Sequence, residues 1–167
     1  MKRLFLFIYI LSSSILANGQ EEMTAELTPN DQERIRFIID NFFYFLAEGD
    51  TTNMKLICSS DMVLRSTYSD ENGMPTMVNE PLQDFLDAVG TERTDKWDER
   101  ISDLEIKVDD NLGHAWMNYE FYFNDKFSHC GVNSFQFVRS GQPGQSWKII
   151  SIIDTRRKSN CNESKDD

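Results

Sequence analysis

The sequence is poor in the residues that bind metals. Its two histidines are His114 and His129, and its three cysteines are Cys58, Cys130 and Cys161. None of them follows a CxxC or cysteine–histidine spacing of the kind that holds zinc. We therefore expect no metal site and no cofactor.

Positive charge is also scarce. The chain has 17 Lys and Arg against 28 Asp and Glu, which gives a net charge of −11 at pH 7. No stretch is basic enough to neutralise the phosphates of a nucleic acid, so we expect no nucleic-acid partner. The acidic excess is typical of a protein that stays in solution.

Only one run of the sequence is both long and apolar, and it follows Lys2 and Arg3. The run covers residues 4–11, and Ala17 and Gly19 supply small residues ahead of a cleavage site. It is too short for a membrane span, which needs about 20 residues. We expect residues 1–19 to be a signal peptide, the mature protein to be periplasmic or secreted, and no membrane contact after cleavage.

The remaining length suits one domain with a sizeable core. Residues 20–29 are polar and predict a flexible lead-in. The patterned part of the sequence, residues 30–158, predicts the folded domain. Residues 159–167 are again polar and predict a mobile tail.

Three helices are expected before the main group of strands. A capping-box pattern begins at Asn30, and the apolar stripe that follows ends at Gly49. A short helix is expected at residues 51–58. Another is expected at residues 80–89, with Asn79 as its cap.

The strands are concentrated towards the end of the sequence. Residues 114–156 contain three apolar-rich runs separated by turn signals, which predicts an antiparallel meander. Strands are also expected at residues 61–68 and 101–108, and the charged run 91–100 predicts a loop.

The meander predicts a sheet with two different faces. If Asp125 and Lys126 form a two-residue loop, Tyr122 lies opposite His129, and opposite residues share a face. One face is then aromatic at one end and polar at the other, with Trp116, Asn118, Glu120, Tyr122, His129, Asn133, Phe135, Phe137, Trp147, Ile149 and Ser151. Such a mixture is typical of a ligand pocket. A face that is ordinary core at the Trp147 end and exposed to solvent at the His129 end explains it too. A register shifted by one residue would exchange the faces.

The order of elements and the closing motifs resemble one superfamily. The segments 129–136, 147–150 and 154–158 look like those of nuclear transport factor 2-like (SnoaL-like) proteins, in particular an exported bacterial branch labelled as lumazine-binding. The resemblance covers about residues 30–158. It implies an α+β cone, with about three N-terminal helices packed on a curved antiparallel sheet and a hydrophobic pocket at the open end. It also implies frequent dimerisation through the sheet, but no particular activity.

The first functional hypothesis is a binding protein for a small hydrophobic or aromatic molecule. Trp116, Phe135 and Trp147 would supply stacking area for the ligand. Hydrogen bonds to it would come from Asn118, Tyr122, His129 and Asn133.

Two alternatives stay open. The chain could be a metal-independent acid–base enzyme of isomerase, dehydratase or cyclase type, with His129 as base and Glu120 or Tyr122 as acid or orienting group. It could instead be a structural or interaction module, a homodimer formed through the other sheet face, where Tyr119, Phe121, Val132 and Ile150 lie.

The cysteines allow a bridge or three free thiols. Cys161 lies on the tail and can fold back to Cys130, which would close a loop of about 30 residues and contribute roughly 3–4 kcal/mol. Cys58 would then stay buried and free.

Overall fold

In the computed structural model, residues 30–92, 94–141 and 147–161 are described. The expected signal peptide (1–19), the lead-in (20–29) and the tail from residue 162 onward lie outside them. The elements in chain order are α1 (Asp31–Glu48), α2 (Thr51–Ile57), β1 (Cys58–Ser69), β2 (Pro75–Pro81), α3 (Leu82–Gly90), β3 (Trp97–Asp109), β4 (Leu112–Phe123), β5 (Lys126–Arg139) and β6 (Trp147–Arg156). Within these ranges no helix is long and apolar enough to cross a bilayer.

The six strands form one sheet in the order β2-β1-β6-β5-β4-β3. Every neighbouring pair is antiparallel except β1 and β6, which run parallel. The three helices pack on this sheet, which confirms the predicted α+β class.

Helix α1 begins and ends as its sequence predicts. The Asn30 side chain accepts a 2.9 Å hydrogen bond from the amide of Glu33, whose carboxylate accepts a 2.8 Å bond from the amide of Asn30. Gly49 ends the helix with φ 71°, a left-handed conformation that glycine adopts without strain. The buried stripe of α1 packs on the sheet through Ile35, Ile38, Ile39, Phe42 and Leu46.

The prediction for residues 75–100 was wrong in two places. Asn79 does not cap a helix; it lies in β2, where its side-chain oxygen accepts a 2.7 Å hydrogen bond from Nε of Arg65 on β1. The helix starts two residues later, with Pro81 at its N-cap position and no side-chain cap. The charged run expected to be a loop contains the start of β3, at Trp97.

The β4–β5 hairpin turns one residue earlier than predicted. Its loop is Asn124 and Asp125, with φ values of 52° and 59°, and Phe123 pairs with Lys126. Two successive left-handed residues form the tight turn that suits a hairpin, and Asn and Asp tolerate that conformation. An irregularity between Phe121 and Tyr122 then shifts the pairing again.

These shifts exchange the faces of β4. Phe121, not Tyr122, pairs with His129, so four residues expected in the pocket face lie on the opposite, outer face: Trp116, Asn118, Glu120 and Tyr122. The inner face of β4, which points towards α1, carries Ala115, Met117 and Tyr119, all buried. A second irregularity between β5 and β6 pairs Asn133 with Asp154, and this places Asp154 inside in place of Ser151.

One end of the core is closed around Trp147. This side chain is fully buried, with Phe137 and Ile149 among its fully buried neighbours in the core. Its indole Nε1 donates a 3.2 Å hydrogen bond to Asp31 in the first turn of α1, and Arg139 forms a 2.5 Å ion pair with the same carboxylate. The hydrogen bond from Arg139 holds the pKa of Asp31 below its usual value.

Cys130 and Cys161 form a disulfide, with a Cα–Cα distance of 5.8 Å. Beside it, Cys130 and Arg157 exchange two backbone hydrogen bonds of 2.9 Å. Cys58 is buried and free, and burial raises the pKa of its thiol to about 12.

Candidate functional site

A cavity of about 80 Å³ lies between the inner face of the sheet and helices α1 and α3, and it is partly open to solvent. The aromatic part of its lining, the aromatic wall, consists of Phe42, Phe43, Phe85 and Phe135. The polar part, the polar wall, consists of Glu99, Tyr119, His129, Asn133, Asp154 and Arg156. Side chains from β1 and β2, including Ser66 and Glu80, complete the lining.

The aromatic wall is held together by ring contacts between three elements. Phe42 of α1 stacks on Phe85 of α3 at 6.1 Å between ring centres. Phe42 also meets Phe135 of β5 edge-on at 5.4 Å, and Phe43 lies 5.9 Å from the same ring. These geometries are favourable for aromatic pairs, so the rings of the wall stabilise one another.

Asp154 is the centre of the polar wall. It is 9% exposed, and it accepts hydrogen bonds from Ser66 Oγ (2.5 Å), the Tyr119 hydroxyl (3.0 Å) and Arg156 Nε (2.9 Å). The Tyr119 hydroxyl also lies 2.9 Å from the carbonyl oxygen of Thr155. Burial and the nearby charge of Asp154 raise the pKa of Tyr119, so its phenol stays protonated.

Glu99 reaches the cavity from β3. Its Oε1 accepts a 2.7 Å hydrogen bond from the side-chain amide of Asn133. Burial raises the pKa of Glu99 to about 7, and the charge of Asp154 adds to the rise, while the Asn133 bond and the charge of Arg156 oppose it. A carboxyl group that titrates near neutral pH can take up or release a proton under ordinary conditions.

His129 lies at the margin of the polar wall. Its ring meets that of Tyr119 edge-on at 5.7 Å and lies 5.1 Å from that of Phe121. Nδ1 is 3.0 Å from the hydroxyl of Ser128. Burial, followed by the positive charge of Arg156, lowers the pKa of His129, so the imidazole is neutral at neutral pH.

Of the residues that the sequence predicts for the site, His129, Asn133 and Phe135 line the cavity. Trp147 shares their face of the sheet but lies in the closed end of the core, fully buried.

The predicted site residues of β4 are on the outer face of the sheet. Trp116 is 47% exposed, and the amide of Asn118 donates a 2.6 Å hydrogen bond to Asp103. Tyr122 donates a 2.8 Å bond to Glu120. Glu120 and Tyr122 therefore form a pair of their own and do not reach the cavity from this face.

Sequence reasoning missed Glu99, Tyr119, Asp154 and Arg156. Tyr119 and Asp154 were assigned to the other face because the register was shifted by one residue. Glu99 lay in a run interpreted as a loop. The alternation of Trp97, Glu99 and Ile101 on one face of β3 was the signal that could have identified it.

The cavity does not contain a recognisable metal site. Among the residues that the structure describes, no group of three or more His, Cys, Asp or Glu side chains could hold an ion. The hydrogen-bonding and proton-exchanging groups of the polar wall are what the cavity offers to a ligand.

No family profile and no curated protein sequence matches the chain. Solved structures do match. A nuclear transport factor 2-like protein of unknown function from Shewanella baltica is 16% identical, with a TM-score of 0.55 over 79% of this chain and 99% of that one. A superfamily protein from Salmonella enterica is also 16% identical, with a TM-score of 0.57 over 79% of this chain and 95% of that one.

The chain has the nuclear transport factor 2-like fold. A third structural neighbour, from Novosphingobium aromaticivorans, is named as a candidate scytalone dehydratase; it is 11% identical, with a TM-score of 0.57 over 76% of this chain and 84% of that one. At such identities the likeness defines the fold alone. The chemistry of its own cavity is therefore the basis for a function of this chain.

Proposed function

We propose that this chain binds a small, partly aromatic molecule in the cavity between the aromatic and polar walls. One observation carries the proposal: buried and half-buried polar groups from β3, β4, β5 and β6 converge on an open cavity that is also lined by aromatic rings. Apolar walls with a few convergent polar groups are what small-molecule sites need.

The size of the cavity limits what can enter. At about 80 Å³ it is smaller than a cavity of about 150 Å³ that admits benzene in another protein. The ligand therefore places a head group of a few atoms against the polar wall. Its ring lies at the open side, next to the aromatic wall.

A fluorescence thermal-shift and NMR screen of small substituted benzenes and single-ring heterocycles tests binding. The matched variants are Leu64→Phe, which adds volume to the cavity lining, and Val132→Phe on the outer face of β5. Ligands should stabilise wild type and Val132→Phe but not Leu64→Phe, with circular dichroism showing that both variants fold. Equal binding by both variants would place the site elsewhere.

Acid–base catalysis is the second candidate, and Glu99 favours it. A half-buried carboxyl with a pKa of about 7 is suited to removing a proton from carbon, and Arg156 at the same cavity can stabilise developing negative charge. The dehydratase name of one structural neighbour belongs to the same class of chemistry.

Hydrogen–deuterium exchange tests this candidate without knowledge of the full reaction. Small ketones and β-hydroxy ketones are incubated with the protein in D₂O, and exchange next to the carbonyl is followed by NMR. Wild type should accelerate exchange and Glu99→Gln should not, while His129→Ala measures the contribution of the residue that the sequence favours. Equal rates with Glu99→Gln would remove Glu99 from the chemistry.

Association through the outer face of the sheet is a further part of the proposal. Trp116 and Leu112 of β4 are 47% and 54% exposed, whereas Tyr119, expected in the dimer interface, is buried inside. Sedimentation equilibrium of wild type and Trp116→Glu tests a homodimer. A monomer in both cases would contradict it.

Export of the protein is proposed on the N-terminal sequence, and the Cys130–Cys161 disulfide supports it because such bonds persist in oxidising compartments. Intact mass of protein recovered from its own host should show loss of residues 1–19. A full-length mass from the cytoplasm would contradict export.

A further inference from the structure

We propose that the head group received by the cavity is a cation, an ammonium or similar group, and that Glu99 binds it. The inference rests on the proposed binding function and names the ligand's chemistry. It follows from how the charged groups of the cavity are paired.

Three carboxylates and two guanidinium groups line the cavity: Glu80, Glu99, Asp154, Arg65 and Arg156. Asp154 and Arg156 are bonded to each other at 2.9 Å. Arg65 uses its Nε to bind Asn79 at the β1–β2 pairing. His129 adds no charge when its imidazole is neutral. Negative charge is therefore in excess by one carboxylate, and neither Glu80 nor Glu99 takes part in an ion pair within the described residues.

Glu99 is the one of these two carboxylates for which a side-chain hydrogen bond inside the cavity is seen. Its hydrogen-bond donor, Asn133, is neutral, and within the described part of the chain Glu99 takes part in no ion pair. Removing a carboxylate from water costs free energy that a neutral amide offsets only in part. A cationic group beside Glu99 would supply the missing compensation.

Arg156 lines the same cavity and its charge compensates Glu99 only in part, because burial outweighs it. Its Nε is bonded to Asp154, its side chain is 48% exposed, and Glu80 also acts on it through its charge. The guanidinium is thus shared between two carboxylates and water. An anionic ligand would have to compete with both carboxylates and would meet Glu99 as a like charge.

The aromatic wall favours the same kind of ligand. Phe42, Phe43, Phe85 and Phe135 face the cavity that Glu99 enters. The faces of aromatic rings attract cations, most strongly where water is excluded. A carboxylate and several rings in one cavity suit an ammonium group better than a hydroxyl or a carboxylate.

The titration of Glu99 predicts how cation binding depends on pH. Burial raises its pKa to about 7, and a bound ammonium would lower it. Binding should therefore release a proton and strengthen as the pH rises from 6 to 8.

The test compares three ring compounds of similar size and different charge, which are benzylamine, benzyl alcohol and benzoate. Dissociation constants are measured by NMR titration of the mature protein at pH 6 and pH 8. Benzylamine should bind about tenfold more tightly than benzyl alcohol at pH 8, as expected for one charge-assisted hydrogen bond. The preference should shrink at pH 6.

Two variants separate Glu99 from the general acidity of the protein. Glu99→Gln keeps the shape and removes the charge, and it should bind benzylamine and benzyl alcohol alike at both pH values. Asp98→Asn, which removes a neighbouring carboxylate that is bonded to Arg100, should keep the preference. The amide spectrum of each variant shows whether it is folded.

The outcomes separate the two proposals. If benzyl alcohol binds wild type as well as benzylamine does, or benzoate binds best, the cation inference is overturned while the binding function stands. If benzylamine binds equally to wild type and Glu99→Gln, another group binds its ammonium and the role of Glu99 is overturned. If none of the three compounds binds, and no other compound of the ring-compound screen binds either, both proposals are overturned.

Discussion

The side-chain amide of Asn133 donates a 2.7 Å hydrogen bond to Oε1 of Glu99, a residue 34 positions earlier in the chain. Asn133 lies on β5 and Glu99 on β3, and these strands are separated in the sheet by β4. The bond therefore bridges two strands that do not pair with each other. It joins the edge of the sheet to its centre on the face that lines the cavity.

Replacing Glu99 by Gln should stabilise the protein at pH 8 and change little at pH 4.5. The pKa of Glu99 rises from 4.5 to about 7 on folding, so the folded state binds more protons between these pH values and loses stability as the pH rises through them. A shift of this size corresponds to a loss of about 3 kcal/mol in the free energy of unfolding, and the full loss is reached above pH 7.

The measurement is urea denaturation of wild type and Glu99→Gln across this pH range, and the informative quantity is the difference between the two. Asp98→Asn is the matched control and should show no comparable difference. If the free energies of unfolding of wild type and Glu99→Gln differ by the same amount at every pH, Glu99 titrates normally.

Tyr119→Phe should cost more stability than Tyr122→Phe. The Tyr119 hydroxyl serves Asp154 and the carbonyl of Thr155 in a buried position, so its loss leaves a buried acceptor short of a donor, a cost of about 1–3 kcal/mol. Tyr122 bonds Glu120 on the outer face, where water can replace it. Thermal unfolding of the two variants shows which tyrosine lies on the inner face. A larger loss of stability in Tyr122→Phe than in Tyr119→Phe would contradict the face assignment of β4.

The native protein should contain no thiol that reacts quickly with a thiol reagent, and the unfolded protein should contain one. Cys130 and Cys161 are joined, and burial keeps Cys58 protonated by raising its pKa to about 12. Cys161→Ser should lower the free energy of unfolding by about 3–4 kcal/mol for a loop of this length. Cys58→Ala serves as the control that leaves the bridge intact. Three reactive thiols in unreduced protein would rule out the bridge.

Gly131→Ala should be among the most damaging single changes in the sheet. A Cβ at this position would lie 1.7 Å from the carbonyl oxygen of Thr155, so the backbone of β5 or β6 would have to move. We expect a loss of about 3 kcal/mol or more, as for severe overpacking. Gly90→Ala, where the nearest atom is Cγ2 of the Thr51 side chain at 3.1 Å, should cost far less. Equal effects in chemical denaturation would contradict the close approach.

Local signals were enough to predict much of the fold. The capping box at Asn30 and the left-handed Gly49 define α1 through short-range chemistry that the sequence displays directly. Strand β2 was missed because Asn79 and Pro81 carry helix-start signals, while Asn79 is used in a contact with Arg65 that becomes visible only when β1 and β2 pair. Long-range pairing decided which interpretation was correct.

The candidate site was harder to predict because it depends on register. A side chain changes face with each one-residue shift, and the Asn124–Asp125 turn together with the irregularity next to Tyr122 determines the register of β4. His129 and Asn133 line the cavity because the face of β5 that carries them is the inner one. Their partners on β3, β4 and β6 were missed. The register of each strand depends on the bulges of all the strands between them, which no short stretch of sequence reveals.

The position of β6 has a consequence for how this molecule is assembled. It is the strand of the sheet that comes last in the sequence, yet it lies between β1 and β5, and it joins the β1–β2 hairpin to the other three strands. While the chain emerges from a ribosome or a translocation channel, β1 cannot form its pairing with β6 until β6 has emerged as well. A nascent chain that stops before Trp147 holds two unconnected fragments of sheet, and the cavity wall that contains Asp154 and Arg156 is completed only when synthesis has passed β6.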